Sequence, residues 1–151
     1  MPKSNASNKP NKPNKFVQSI AAISGNAVVA VPAKSFKPDE LASALSKAGF
    51  QVTVIDPSSR TTPIQDKASL LRAIHHTHAL PNHFGFNWDA LVDSLSDLPA
   101  PDAKGYALIL RQPNMLREQS PEDYATFLDV IHTVSERWAA RGVPFKLVLP
   151  E

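Results

Sequence analysis

The sequence predicts an α/β protein with a mostly parallel sheet covered by flanking helices. Three observations carry this. Short apolar runs of strand length recur along the chain. Segments with helical spacing of apolar residues separate them, in the order β-α-β-α-α-β-α-β. Several of the runs are apolar throughout rather than alternating, as expected of strands buried on both faces.

Ala27–Val31 (AVVAV) is the first such run. Pro38–Ala48 follows, with Leu41, Ala44, Leu45 and Ala48 at helical spacing. Pro38, Asp39 and Glu40 suit a first turn, where a missing N–H costs nothing and negative charge is favoured, and Gly49 suits the stop. Gln51–Ile55 (QVTVI) reads as a second strand and residues 56–63 as a loop. Asp66 can cap a helix carrying Leu70, Leu71 and Ile74 that ends before Pro81. Asn87 can cap another, running to about Leu98. Tyr106–Leu110 (YALIL) is the third strand. Ser120, Pro121 and Asp123 form a helix start, and Tyr124, Phe127, Leu128, Ile131 and Trp138 mark one apolar face before Gly142. Phe145–Leu149 (FKLVL) is the fourth strand. This local pattern leaves the strand order open.

The 151 residues suffice for one domain with a sizeable core, and 42% apolar content is ordinary for a globular chain. With no cysteine there is no disulfide framework and no thiolate chemistry. No apolar run is long enough to span a bilayer. The stretch after Lys15 is broken by Gln18, Ser19, Ser24, Gly25 and Asn26, which argues against a signal peptide. These features together read as cytoplasmic.

The net charge of +2 conceals an uneven distribution. Residues 1–15 carry Lys3, Lys9, Lys12 and Lys15 and no acid. Setting these four aside leaves 12 basic residues against 14 acidic ones, so the body carries −2. The segment MPKSNASNKPNKPNK has too little apolar surface to offset its ordering entropy, and residues 1–15 are expected to be a disordered basic tail. Its four lysines imply only weak, salt-sensitive contact with nucleic acid, and nothing in it stacks on bases. Residues 16–151 then form a single domain.

The most informative segment is Leu80–Leu98, LPNHFGFNWDALVDSLSDL. On a helix, Trp88, Leu91, Leu95 and Leu98 share one side, and Asp89, Asp93 and Asp97 form a stripe roughly opposite. Asp89 lies in the first turn, where the helix dipole favours it; Asp97 lies near the end, where the dipole opposes it. Solvated helix faces usually mix signs, yet no Lys or Arg occurs between Arg72 and Lys104. Like charges at this spacing carry a small local cost. Clustered acids of this kind are what a basic partner requires for steering and complementarity. A solvated acidic face is the alternative reading of the same residues.

The run LPNHFGFNWDALVDSL resembles the signature of the barstar family, intracellular inhibitors of barnase-type ribonucleases. The carriers are Leu80, Pro81, Phe84, Gly85, Asn87, Asp89, Ala90, Leu91, Asp93 and Leu95, an ordered pattern over sixteen residues. Weaker similarity extends from Val52 to Gly142 and Leu149. The resemblance implies a barstar-like core over 51–151 with a three-stranded parallel sheet. Residues 26–50 are then an extra N-terminal strand-helix unit, as in longer barstar-related proteins. It also implies a non-catalytic protein that plugs a ribonuclease active site, in the manner of an immunity protein, without a cofactor. Asp93 matches the central inhibitory aspartate and Asp89 a second interface acid. Gly85 and Asn87 match the loop leading into the helix, and His83, Val92, Ser96 and Leu98 complete the partner-facing set. Three family aromatics are replaced here, by His83, Val92 and Leu98. Counting back from Gly142, a family acidic contact falls at Arg137. The acid Glu136 stands one residue away, about 100° round the helix. Arg137 and Glu136 are therefore the expected specificity residues.

Other chemistries are poorly supported. His75, His76, His78 and His83 lack cysteine partners and any standard zinc spacing, so no metal site is expected. A hydrolase could pair His83 with Asp89 or Asp93, but no nucleophile elbow, phosphate loop or zinc motif accompanies them. Trp88 and Trp138 lie in apolar stripes and read as core. Two function classes remain: an inhibitor of a basic ribonuclease-like protein, and a barstar-like interaction module whose partner is not a ribonuclease. The partner's identity and the oligomeric state are not legible.

Overall fold

The computed structural model describes residues 11–23, 25–57, 61–78, 85–98 and 102–151. In chain order the elements are α1 (Asn11–Ala21), β1 (Val28–Val31), a 3-10 turn (Ala33–Ser35), α2 (Pro38–Lys47), β2 (Phe50–Ile55), α3 (Lys67–His78), α4 (Trp88–Leu95), β3 (Gly105–Leu110), α5 (Asn114–Gln119), α6 (Pro121–Ala139) and β4 (Phe145–Pro150). The four strands form one sheet in the order β1-β4-β3-β2, every pair parallel. The architecture is the expected α/β sheet with flanking helices.

The apolar runs make the two central strands. All six residues of β3 and five of six in β4 are buried. Alternation along β3 divides them between two cores: Tyr106, Leu108 and Leu110 pack with α3 to α6, while Ala107 and Ile109 pack with α1 and α2. The helices between β2 and β4 thus cover one face, and the N-terminal helices cover the other. The extra strand β1 joins at the edge of β4, with Val28 opposite Leu147.

Lys146 fastens this N-terminal unit. It is 1% exposed, on the central strand β4, and its ammonium donates to the Asn26 carbonyl at 3.0 Å. Burial pushes its pKa below the usual lysine range, because a low-dielectric surrounding disfavours the charged form.

The helix boundaries follow local chemistry. Asp66 caps α3: its carboxylate accepts from the Ser69 N–H at 2.9 Å and the Ser69 hydroxyl at 2.7 Å. These two bonds, aided by the Arg72 charge, hold the Asp66 pKa below its ordinary value. Gly49 (φ 95°) and Gly142 (φ 78°) follow α2 and α6 in the left-handed region, where glycine carries no Cβ penalty.

Four boundaries differ from expectation. Residues 11–15, assigned from sequence to the disordered tail, fall within α1; residues 1–10 lie outside the described residues. The reason is tertiary: Ile20 is fully buried in the second core, with Phe16 and Val17 packed against it, so the helix is held by α2 and the sheet. Helix α4 stops at Leu95 rather than near Leu98. Helix α5 was not foreseen, and buried Leu116 anchors it. Ser120 makes no side-chain cap for α6. Asp123 instead accepts from the Lys67 N–H at 2.8 Å, serving α3, which lies far away in sequence.

Candidate protein-binding face

Asn87 sets the entry to α4. Its backbone is extended (φ −137°, ψ 169°), and its Oδ1 accepts from the Ala90 N–H at 2.8 Å. Its Nδ2 donates to the Gly85 carbonyl at 3.3 Å, folding the preceding loop onto the cap. Between them Phe86 adopts φ 51°, a left-handed conformation uncommon for an aromatic residue. Its ring lies 5.2 Å from the His75 ring yet remains 43% exposed.

Leu91 and Leu95 are fully buried, which fixes the rotation of α4. Asp89, Asp93 and Asp97 are therefore exposed. Only the first two belong to the helix, since Asp97 lies beyond its end. Trp88 is half-buried, with the Lys67 ammonium 5.6 Å from its ring centroid.

The end of α6 closes the C-terminal end of α4. Trp138 Nε1 donates to the Leu95 carbonyl at 2.8 Å, and Arg141 donates to the Ser96 carbonyl at 3.1 Å. Arg137 reaches the Ser96 hydroxyl at 3.4 Å and lies 3.9 Å from an Asp93 carboxylate oxygen. Two guanidinium groups thus meet the negative end of the α4 dipole, and donors from α6 take up its last carbonyls. This arrangement accounts for the early stop at Leu95. It also gives Asp93 a basic neighbour that the local sequence lacks, Arg137.

The expected partner-facing residues fall into three groups. Asp89, Asp93, Asn87 and Gly85 are exposed together on α4 and its entry loop, and Val92 is half-buried beside them. Ser96 and Leu98 are corrections: at 6% and 9% exposure they face inward, Ser96 to Arg137 and Leu98 to the core. His83 lies outside the described residues. The expected specificity residues Arg137 and Glu136 are both exposed on α6, and Arg137 adjoins Asp93. Sequence reasoning missed Phe86, Arg141 and Lys67. Phe86 carried a faint signal, an aromatic residue in the loop before the cap; the other two carried no local signal. Among the described residues no cluster of His, Asp or Glu is arranged to hold a metal ion, and no helix is long and apolar enough to cross a membrane.

The family model described as Barstar (barnase inhibitor) matches residues 59–150. This chain belongs to the barstar family. The match takes in α3 to α6 with β3 and β4, and it therefore contains the whole face described above. It begins after β2, so the barstar match leaves out β2 together with α1, β1 and α2. No curated protein matches the chain.

Proposed function

We propose that this chain is a non-catalytic inhibitor that binds a basic ribonuclease-like protein and masks its active site. The masking surface is the exposed part of residues 85–93: Gly85, Asn87, Asp89, Val92 and Asp93, with residue 83 as a further contact. One observation carries the proposal. Within the family-matched region, Asp89 and Asp93 project from a helix whose opposite side is locked by Leu91, Leu95 and the end of α6. Rigid, pre-positioned carboxylates steer a cationic cleft and lose little entropy on docking. The reading places the protein in the cytoplasm, in the role of an immunity protein, with no cofactor and no activity of its own.

The Asp93–Arg137 contact favours a second reading, a barstar-type interaction module whose partner is not a ribonuclease. A cation beside the central acid weakens the attraction for a uniformly basic cleft.

The test is capture by the immobilised full chain of purified secreted ribonucleases, barnase-type enzymes included, with their activity measured alongside. Asp93→Ala should weaken binding most, Asp89→Ala less and Asp97→Ala least, and association should slow as salt rises. Binding that ignores both Asp93 and ionic strength overturns the proposal. Capture of a non-nuclease through the same acids supports the second reading.

A further inference from the structure

Lys67, Ala68 and Arg72 of α3 and Phe86 of the loop before α4 line an open cleft of about 510 Å³. The cleft adjoins the acidic face, because Phe86 precedes the capping Asn87 and the Lys67 side chain lies over Trp88. Its wall carries two cations, and among the described residues neither forms an ion pair. Asp66, which the Arg72 charge also stabilises, accepts from Ser69, and Asp123 accepts from the Lys67 backbone N–H. Among the described residues the rest of the lining is apolar, an alanine methyl and the exposed Phe86 ring held in its left-handed backbone.

We infer that this cleft seats an acidic side chain of the protein partner gripped by α4, its carboxylate meeting Lys67 and Arg72 and its methylene stem lying on Phe86 and Ala68. The inference rests on the binding role proposed above and names a feature of the partner. A guanidinium and an ammonium beside an apolar wall suit a carboxylate on a short hydrocarbon stem. A nucleic-acid strand fits poorly, since Asp89 and Asp93 on the adjoining helix repel a polyanion. With Arg137 beside Asp93, the face reads as positive, negative, positive. Its complement is a basic ridge with an acid on either side rather than a uniformly basic cleft.

The experiment uses the full chain, labelled for amide NMR, and 3-phenylpropionate as a stand-in for the stem and carboxylate. The neutral 3-phenylpropionamide and inorganic phosphate are titrated as controls. The expected result is shifts centred on Lys67, Ala68, Arg72 and Phe86, with the amide at least roughly tenfold weaker, about 1.4 kcal/mol. Arg72→Gln and Lys67→Ala should each weaken the carboxylate. Equal binding of acid and amide, or shifts dispersed elsewhere, overturns the inference. Phosphate binding as tightly as the carboxylate overturns it in favour of a phosphate site. None of these outcomes depends on Asp93, so failure here is separable from failure of the inhibitor reading.

Discussion

Reversing the charge of Arg137 tests how far its pairing with Asp93 governs partner choice. The two charges lie 3.9 Å apart, with side-chain exposures of 50% for Arg137 and 83% for Asp93. In a water-like dielectric a pair at that distance attracts by about 1 kcal/mol, and exposed pairs deliver about 0–1 kcal/mol of net stability. Arg137→Glu replaces this attraction with a repulsion of similar size and loses the long Ser96 hydrogen bond. The folding cost should stay below about 2 kcal/mol, because neither group is buried and salt screens both. If the proposed face takes a barnase-type ribonuclease, that enzyme must compete with Arg137 for Asp93. Removing that competitor should strengthen its binding by up to about 1 kcal/mol, roughly fivefold, mostly in the association rate. A natural partner that presents an acid to Arg137 should instead bind less tightly. Surface plasmon resonance against immobilised barnase-type enzyme at two ionic strengths measures the effect, and Asp93→Ala closes a double-mutant cycle. The gain should shrink in the Asp93→Ala background, leaving only the direct attraction of the new carboxylate. An equal gain there, or tight wild-type binding that Arg137→Glu leaves unchanged, would refute the argument.

Other consequences concern the scaffold. Asp66→Ala should cost about 1 kcal/mol at neutral pH by removing the α3 cap. Because the folded Asp66 pKa is depressed, that stability is present above the unfolded value and lost as pH falls through the folded one; denaturant titrations of both proteins should converge in acid. Lys146 is depressed in the opposite sense for stability: the unfolded chain binds the extra proton, so wild-type stability should rise with pH between the folded value and the ordinary lysine range. Lys146→Met should flatten that rise in melting curves. Ile20→Ala should cost about 2–5 kcal/mol by thermal or denaturant unfolding, since a fully buried side chain leaves a cavity. Deletion of residues 1–10 should leave the midpoint nearly unchanged, and a large drop would show that they pack on the domain.

The sequence by itself determined the sheet, most of the helices and the acidic face. A continuous apolar run identified β3, and β4 is such a run apart from Lys146, because strands covered on both sides cannot alternate. Asp66 and Asn87 were legible as caps because a cap bond spans only three residues. The position of Leu91 and Leu95 determined that Asp89 and Asp93 face outward, since helical periodicity fixes which side is buried. The tertiary structure decided what that face is set against. Arg137 reaches Ser96 across 41 residues of sequence, and Trp138 reaches the Leu95 carbonyl across 43, so no local pattern records either contact. The same packing ended α4 early, turned Ser96 inward, and placed Lys67 over Trp88. It also made Asn11–Ala21 a helix, although Asn, Lys and Pro in that segment argue locally for disorder. Periodicity and capping are properties of neighbours along the chain. Charge complementarity at a surface depends on which helices the core brings together, and here that placed an arginine beside the central aspartate.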